Sequence, residues 1–267
     1  MPRISVISGA YNIGCCGSLD KSIASVLNQT FSDFEFIICD DGSTDDTREL
    51  LAEFSKKDSR IKLLKNDKNL GLAASLNRCL EISRGEYIAR HDCDDYNDLC
   101  RFEKQTDFLK ANPDISVLGT NTLLFDENGV WGNEKFPEFV KNKDFLFTSP
   151  YKHGSVMFRR EALEKAGGYR VAKETYRTED YDLFMRMQTF CKGANLQENL
   201  YYFCEDKAAQ KRRKYRYRVD EARVRYRGFR NLGLLPMGFP YVIKPLVVGL
   251  IPSKPLNRLK DRYYGRK

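Results

Sequence analysis

The densest run of ionisable side chains is His91-Asp92-Cys93-Asp94-Asp95, three carboxylates within four positions at the end of the strand pattern Glu86 to His91. Carboxylates crowded this closely repel one another unless a cation is present. Their hard oxygens suit Mn2+ or Mg2+, ions that also bind the oxygens of a diphosphate. An acidic surface turn is the alternative, and the apolar strand leading into the cluster argues against it. A second pair, Asp40-Asp41, closes another apolar run and precedes Gly42-Ser43-Thr44-Asp45. One helix cap needs one acceptor, so capping accounts for Ser43 and leaves Asp41 unexplained. A third group, Thr178-Glu179-Asp180-Tyr181-Asp182, opens an apolar helix. The helix macrodipole alone favours acids there; beside a nucleotide and a metal the same carboxylate is a natural general base. His153, one of two histidines, is either a packed side chain or one able to reach a phosphate or metal from the start of the strand Val156 to Arg159. In Ala10-Tyr11-Asn12, the Tyr11 ring can stack on a base or pack on the core edge.

These groups need a scaffold that gathers strand ends. Ile4 to Ser8 and Phe34 to Cys39 have the β-branched and aromatic content of buried parallel strands. Between them Ser18 to Gln29 places Ile23, Val26 and Leu27 on one helix face, with Ser18 as its cap. Ser43 is expected to cap a second helix, with Asp46 at its third position and Leu50, Leu51 and Phe54 buried; Ile61 to Leu64 supplies the next strand. A third helix over Leu70 to Ser83 ends at Gly85. Alternating strands and helices predict a doubly wound α/β domain, in which ligands bind beyond the carboxyl ends of the strands. From Asn121 to Tyr151 the pattern turns irregular, with turn signals at Glu127-Asn128-Gly129 and Trp131-Gly132-Asn133, and reads as strands and loops over one sheet face. Helical periodicity returns at Glu161 to Ala166, closed by Gly167-Gly168, and at Asp180 to Phe190.

Over 267 residues the chain suits one α/β core with an appendage, and 42% hydrophobic content can fill that core. The net charge of +8 hides an asymmetry: residues 207–267 carry +15 and residues 1–206 carry −7. A basic tail on an acidic body points to an anionic surface as partner. The eight cysteines form no CxxC pair or Cys/His ligand spacing, so reduced thiols are expected and a zinc site is not. The first residues enter a strand pattern without a signal-peptide profile, and no apolar run reaches the ~18 residues of a spanning helix.

In order along the chain stand Pro2-Arg3-Ile4-Ser5-Val6-Ile7 with Tyr11-Asn12, Ser22 to Phe31, Asp40 to Ser43, Asn69-Leu70-Gly71-Leu72 and Gly85 to Arg90. Asp92 to Asp95, Arg101 and Gln105, His153 to Met157, Gly167-Gly168-Tyr169 and Glu179-Asp180 follow. The series, spanning about residues 2 to 190, resembles the family-two glycosyltransferases of bacterial polysaccharide assembly. The resemblance implies a GT-A fold, a Rossmann-like doubly wound mixed sheet over residues 1–205. Its nucleotide half would be 1–120 and its acceptor half 121–205, with 206–267 an appended basic, amphipathic helical segment. It further implies inverting, metal-dependent transfer from a nucleotide diphosphate sugar, a UDP-sugar foremost, to a saccharide hydroxyl, the sugar being a hexose or N-acetylhexosamine. Ala10, Tyr11, Asp41 and Asp92 would bind the nucleotide: Tyr11 stacks on uracil, Asp41 accepts its ring N–H and Asp92 lies near the ribose. Asp94, Asp92 and His153 would hold Mn2+ or Mg2+, Asp180 would be the base, and Asn12, Asp40, Asp95 and Glu179 would support them. The family often has Pro at the place of Gly154 and a small or apolar residue at the place of His91.

The tail interleaves basic residues with Tyr215, Tyr217, Val219, Tyr226 and Phe229, and Leu232 to Ile251 is apolar but broken by Gly233, Pro236, Gly238, Pro240 and Pro245. With Lys254, Arg258, Lys260 and Arg262 beyond, it fits a segment lying in a membrane interface, which implies a cytoplasmic enzyme on the inner face of the plasma membrane acting on a lipid-linked acceptor. Helices packed on the catalytic body fit the same pattern. A nucleotidyltransferase shares the nucleotide site, but Gly9 to Gly17 lacks the basic residue of its phosphate loop. Clustered carboxylates argue against nucleic acid crossing that face.

Overall fold

A computed structural model describes residues 2–13, 19–205 and 215–251. The proposed cap Ser18, Cys15, Cys16, the basic residues 207–214 and those after 251 lie outside the described residues. Nine strands form one sheet: β1 (Ile4–Ala10), β2 (Phe34–Asp40), β3 (Ile61–Lys65), β4 (Tyr87–Arg90), β5 (Tyr96–Asn97), β6 (Ile115–Asp126), β7 (Gly129–Glu134), β8 (Met157–Arg159) and β9 (Lys192–Cys204). Their order is β3-β2-β1-β4-β8-β6-β9-β5, with β7 on β6. Strands β1 to β4 are parallel, β8 runs antiparallel between β4 and β6, and β9 is parallel to β6, giving the mixed sheet expected.

Alternate side chains of the parallel strands fill two cores. Ile4, Val6, Phe36, Ile38 and Ala89 pack on one face, against α1 (Leu19–Leu27), α2 (Thr47–Lys57) and α4 (Arg101–Ala111). Ile7, Ile37, Cys39 and Ile88 fill the other, under α3 (Leu72–Ile82), α5 (Arg160–Lys165) and α6 (Glu179–Met187).

Three local expectations are corrected. Ser43 is not the cap of α2: Asp46 holds the N-cap position without a side-chain cap bond, Asp45 accepts from Thr47 N at 3.1 Å, and Ser43 Oγ accepts from Asn12 N. Gly85 does not terminate α3, which ends at Ile82. A Cβ at Gly85 would stand 2.4 Å from Ser5 N and 2.6 Å from the Ile4 carbonyl carbon, so glycine is needed for close passage of β1. Because those neighbours are backbone, Gly85→Ala is expected to cost about 1–3 kcal/mol in urea unfolding; an unchanged midpoint would contradict this packing. The stretch after Asn121 covers a sheet face only in its later part, where Val140, Phe145 and Tyr151 join the α6-side core. Strand β6 runs through residues 120 and 121 inside the sheet, the Glu127-Asn128-Gly129 turn joins it to β7, and Trp131-Gly132-Asn133 lies within β7. Gly167 and Gly168 close α5 at φ of +74° and +65°, as their sequence suggested.

The tail's α7 (Tyr215–Asn231) and α8 (Phe239–Leu250) pack on the catalytic body: Ala222, Val224, Phe229, Leu232 and Val242 belong to the α6-side core. Gly228 lets α7 approach α6, since a Cβ there would meet Met185 Sδ at 2.1 Å. Arg225 is buried, donating to the Leu146 and Phe147 carbonyls and stacking on Tyr181 at 5.1 Å. A cut near Cys204 would therefore uncover core.

Candidate active site

The first loops are tied together. Ala10 is buried and Tyr11 is 45% exposed at the mouth of β1. Asn12 sits at φ +52°, a conformation Asn tolerates, and its Oδ1 accepts from Thr44 N at 2.9 Å. Asp41, buried, accepts from Leu70 N at 2.8 Å, Gly71 N at 2.9 Å and Asn66 Nδ2 at 2.7 Å. The carboxylate thus ties β2 to the start of α3 and faces a pocket of ≈ 310 Å³ bounded by Ala10, Tyr11, Asp41, Leu70 and Tyr176. Asp40 is turned inward: Oδ1 accepts from Ser43 N at 3.0 Å, and Oδ2 is buried with no hydrogen-bond partner among the described residues.

The turn after β4 rests on a buried cationic floor. Arg90 pairs with Asp92 Oδ1, while Arg101 donates to the Arg90 carbonyl at 2.9 Å and Gln105 to the Leu118 and Ser155 carbonyls. Burial opposes the charge on Arg90, but Asp92 beside it holds the guanidinium charged. Tyr201 Oη accepts from Asp92 N at 3.1 Å. Asp94 is exposed, whereas Asp95 is buried and binds Cys204 N at 2.7 Å. Burial, with Asp94 and Asp92 adding, pushes the Asp95 carboxyl well above the usual range, and its bond to Cys204 N links the turn to β9. His91 is wholly buried between Ser22 Oγ at 2.8 Å and Asn97 Nδ2 at 3.2 Å, a structural place.

A cleft of ≈ 1240 Å³ opens beside this turn, lined by His153, Glu179, Asp180, Phe203, Tyr217 and Lys244 among others. The acids that open α6 separate by partner. Asp182 is buried and paired with Arg186 at 2.8 Å and Arg170 at 3.5 Å. Glu179 and Asp180 line the cleft instead. Burial raises the Asp180 carboxyl above the usual range and nearby Asp92 adds to the rise. Burial and then Asp180 push Glu179 to about 7. His153 Nε2 shares a proton with Tyr169 Oη at 2.8 Å, and burial, with Arg90 nearby, keeps the imidazole neutral.

Among the described residues no three of His, Cys, Asp and Glu gather to hold a metal by themselves, so Asp92, Asp94 and His153 do not form one closed cluster. Asp92 and Asp94 do fit an ion that takes its remaining oxygens from a bound diphosphate, the usual habit of Mg2+. Tyr176 and Arg177, which are not among the candidate residues of the sequence, border both the pocket and the cleft. Nothing in their local pattern marks them; tertiary placement does.

Residues 5–167 match the model of the glycosyl transferase family 2. The chain belongs to this family. EpsE of Bacillus subtilis, named as a glycosyltransferase, is similar to this family-2 chain at 41% identity, over all of this chain and 96% of its own length. The O-antigen biosynthesis glycosyltransferase WbnJ of Escherichia coli is 34% identical over 72% of this chain and 77% of its own. Among solved structures, S. aureus TarS in complex with UDP-GlcNAc superposes with a TM-score of 0.72 at 18% identity, over 91% of this chain and 73% of TarS. The Pyrobaculum calidifontis mannosyltransferase PcManGT, in complex with GDP-Man and Mn2+, gives 0.61 at 18% identity, over 98% of this chain and 80% of its own. The family-2 chain therefore has the GT-A fold.

Proposed function

We propose that the chain is an inverting, metal-dependent glycosyltransferase. It moves a sugar from a nucleoside diphosphate donor, a UDP-sugar foremost, to a saccharide hydroxyl in surface polysaccharide assembly. The observation that carries this reading is the meeting of two spaces at Tyr176 to Glu179: a small pocket floored by Asp41, and a large cleft holding Asp180 with Asp92 beside it. Tyr11 stacks on the base, and Asp41, already fixed by three donors, accepts the ring N–H. Asp92 lies toward the ribose and, with Asp94, would hold Mn2+ or Mg2+, while His153 lines the cleft. A cation there would neutralise charge on the departing diphosphate. Asp180 takes the proton of the acceptor hydroxyl as that oxygen bonds to the sugar's anomeric carbon. The bond from that carbon to the diphosphate breaks on the opposite face, its electron pair leaving with the diphosphate, so the anomeric centre inverts. The polysaccharide setting is supported by the similarity to the O-antigen enzyme, and Mn2+ by the complex of PcManGT with GDP-Man and Mn2+. The test is a panel of nucleotide sugars scored for release of nucleoside diphosphate with and without the ion; no release from any donor would remove the assignment.

The acceptor is proposed to be lipid-linked and the enzyme to sit on the cytoplasmic face of a membrane. No helix of the described residues is long and apolar enough to cross one. Yet Phe239, Ile243, Val247 and Leu250 recur along one outward face of α8, and Leu250 is 74% and preceding Met237 81% exposed. That stripe, next to the basic tail, suits insertion into an anionic leaflet. Val247→Asp with Leu250→Asp should abolish most sedimentation with phosphatidylglycerol vesicles at unchanged thermal midpoint, because both side chains already face water. Undiminished sedimentation would give α8 a purely structural role.

A further inference from the structure

A nucleotide sugar with its base in the small pocket and its sugar in the cleft must carry its diphosphate across the junction between them. That junction is bordered by Tyr176, Arg177 and Glu179, which line both spaces. Arg177 stands there at φ +68°, in the left-handed region that non-glycine residues rarely adopt and that gathers at functional sites. Its guanidinium carbon lies 5.9 Å from the Tyr176 ring centre and 5.4 Å from that of Tyr217 on α7. Among the described residues the guanidinium makes no ion pair, although acids crowd the neighbouring turn. The segment is braced from outside: Glu174 pairs with Arg227 of α7 at 3.2 Å, and the Tyr176 and Tyr217 rings meet at 5.5 Å.

We infer that Arg177 is the protein's own cation for the donor diphosphate, held over the junction by the aromatic rings of Tyr176 and Tyr217. It rests on the assignment of the small pocket to the base. A guanidinium offers a planar fork of N–H donors that matches two phosphate oxygens, and resting against the Tyr176–Tyr217 pair, whose ring centres are themselves 5.5 Å apart, steadies it without neutralising its charge. Its charge would add to that of a cation held by Asp92 and Asp94. It also gives the C-terminal helix a task at the active site, because α7 supplies one of the two rings.

The left-handed backbone allows a decisive variant. Glycine adopts φ +68° without strain, so Arg177→Gly removes the charge and leaves the turn at least as well accommodated. Calorimetric titration with Mn2+ present would compare UDP with uridine and GDP with guanosine, on the wild type and on Arg177→Gly. The expected result is a loss of roughly ten-fold or more for the diphosphate and an unchanged nucleoside affinity, with a thermal midpoint equal or higher. Arg177→Lys should recover part of the loss, since a compact ammonium keeps the charge and loses the fork. Equal loss for diphosphate and nucleoside, or no loss, overturns the inference while leaving the pocket assignment standing. A wild-type protein that binds neither UDP nor GDP overturns both.

Discussion

Asp180→Asn is expected to lower the rate of transfer by roughly 10²-fold or more while donor affinity stays within about two-fold, the pattern for losing a proton acceptor that acts in the transition state. The side chain lines the cleft at the first turn of α6, and its neighbour Asp182 is spent on Arg186 and Arg170. Asparagine keeps the shape and cannot take a proton. The pH profile gives a second readout. Burial and then Asp92 raise the Asp180 carboxyl, and a base works only when deprotonated, so wild-type kcat should fall with acidification from above the ordinary carboxylate range. The Asn variant should lose that limb. Equal loss of donor binding would make Asp180 a structural or metal-holding group.

Asp94→Ala should abolish metal-dependent transfer and metal-dependent donor binding together. Asp92 has one oxygen committed to Arg90 and Asp95 is buried on Cys204, so the turn retains one partly free carboxylate. A single carboxylate cannot hold a divalent ion against its hydration. Asp94 is exposed, so the variant should fold with an unchanged thermal midpoint. Activity that persists in chelator would remove the metal from this account.

The first half of the fold is legible because β1, β2 and β4 are apolar on both faces and their helices carry one buried stripe each. Parallel strands buried this way leave few other readings for the residues at their ends, so Tyr11, Asp41 and Asp92 are legible as neighbours beyond the carboxyl ends of β1, β2 and β4. The region after Asn121 resists the same reading for a physical reason. β6 buries the polar run Thr120-Asn121-Thr122, β7 contains Gly132 and Asn133, and β9 carries Gln197-Glu198-Asn199, so neither apolar alternation nor propensity marks them. β6 and β9 pair with strands distant in sequence, and only β7 finds its partner across a neighbouring turn. The same holds for Ser43, a plausible cap in one dimension whose hydroxyl is taken by Asn12, and for Arg177, whose neighbours come from two other segments. The tail's charge is plain in sequence, but only the structure divides it into a face that packs on α6 and a stripe that does not.

The central claim is in-line displacement from a nucleoside diphosphate sugar, and it can be tested without knowing the acceptor. Once the panel finds a donor that the enzyme hydrolyses slowly, proton NMR can follow the anomeric signals of the released sugar before mutarotation. An α-linked donor is predicted to give the β-sugar first, at a rate that needs the divalent ion and falls in Asp180→Asn. Release of the α-sugar first would show retention and contradict the mechanism.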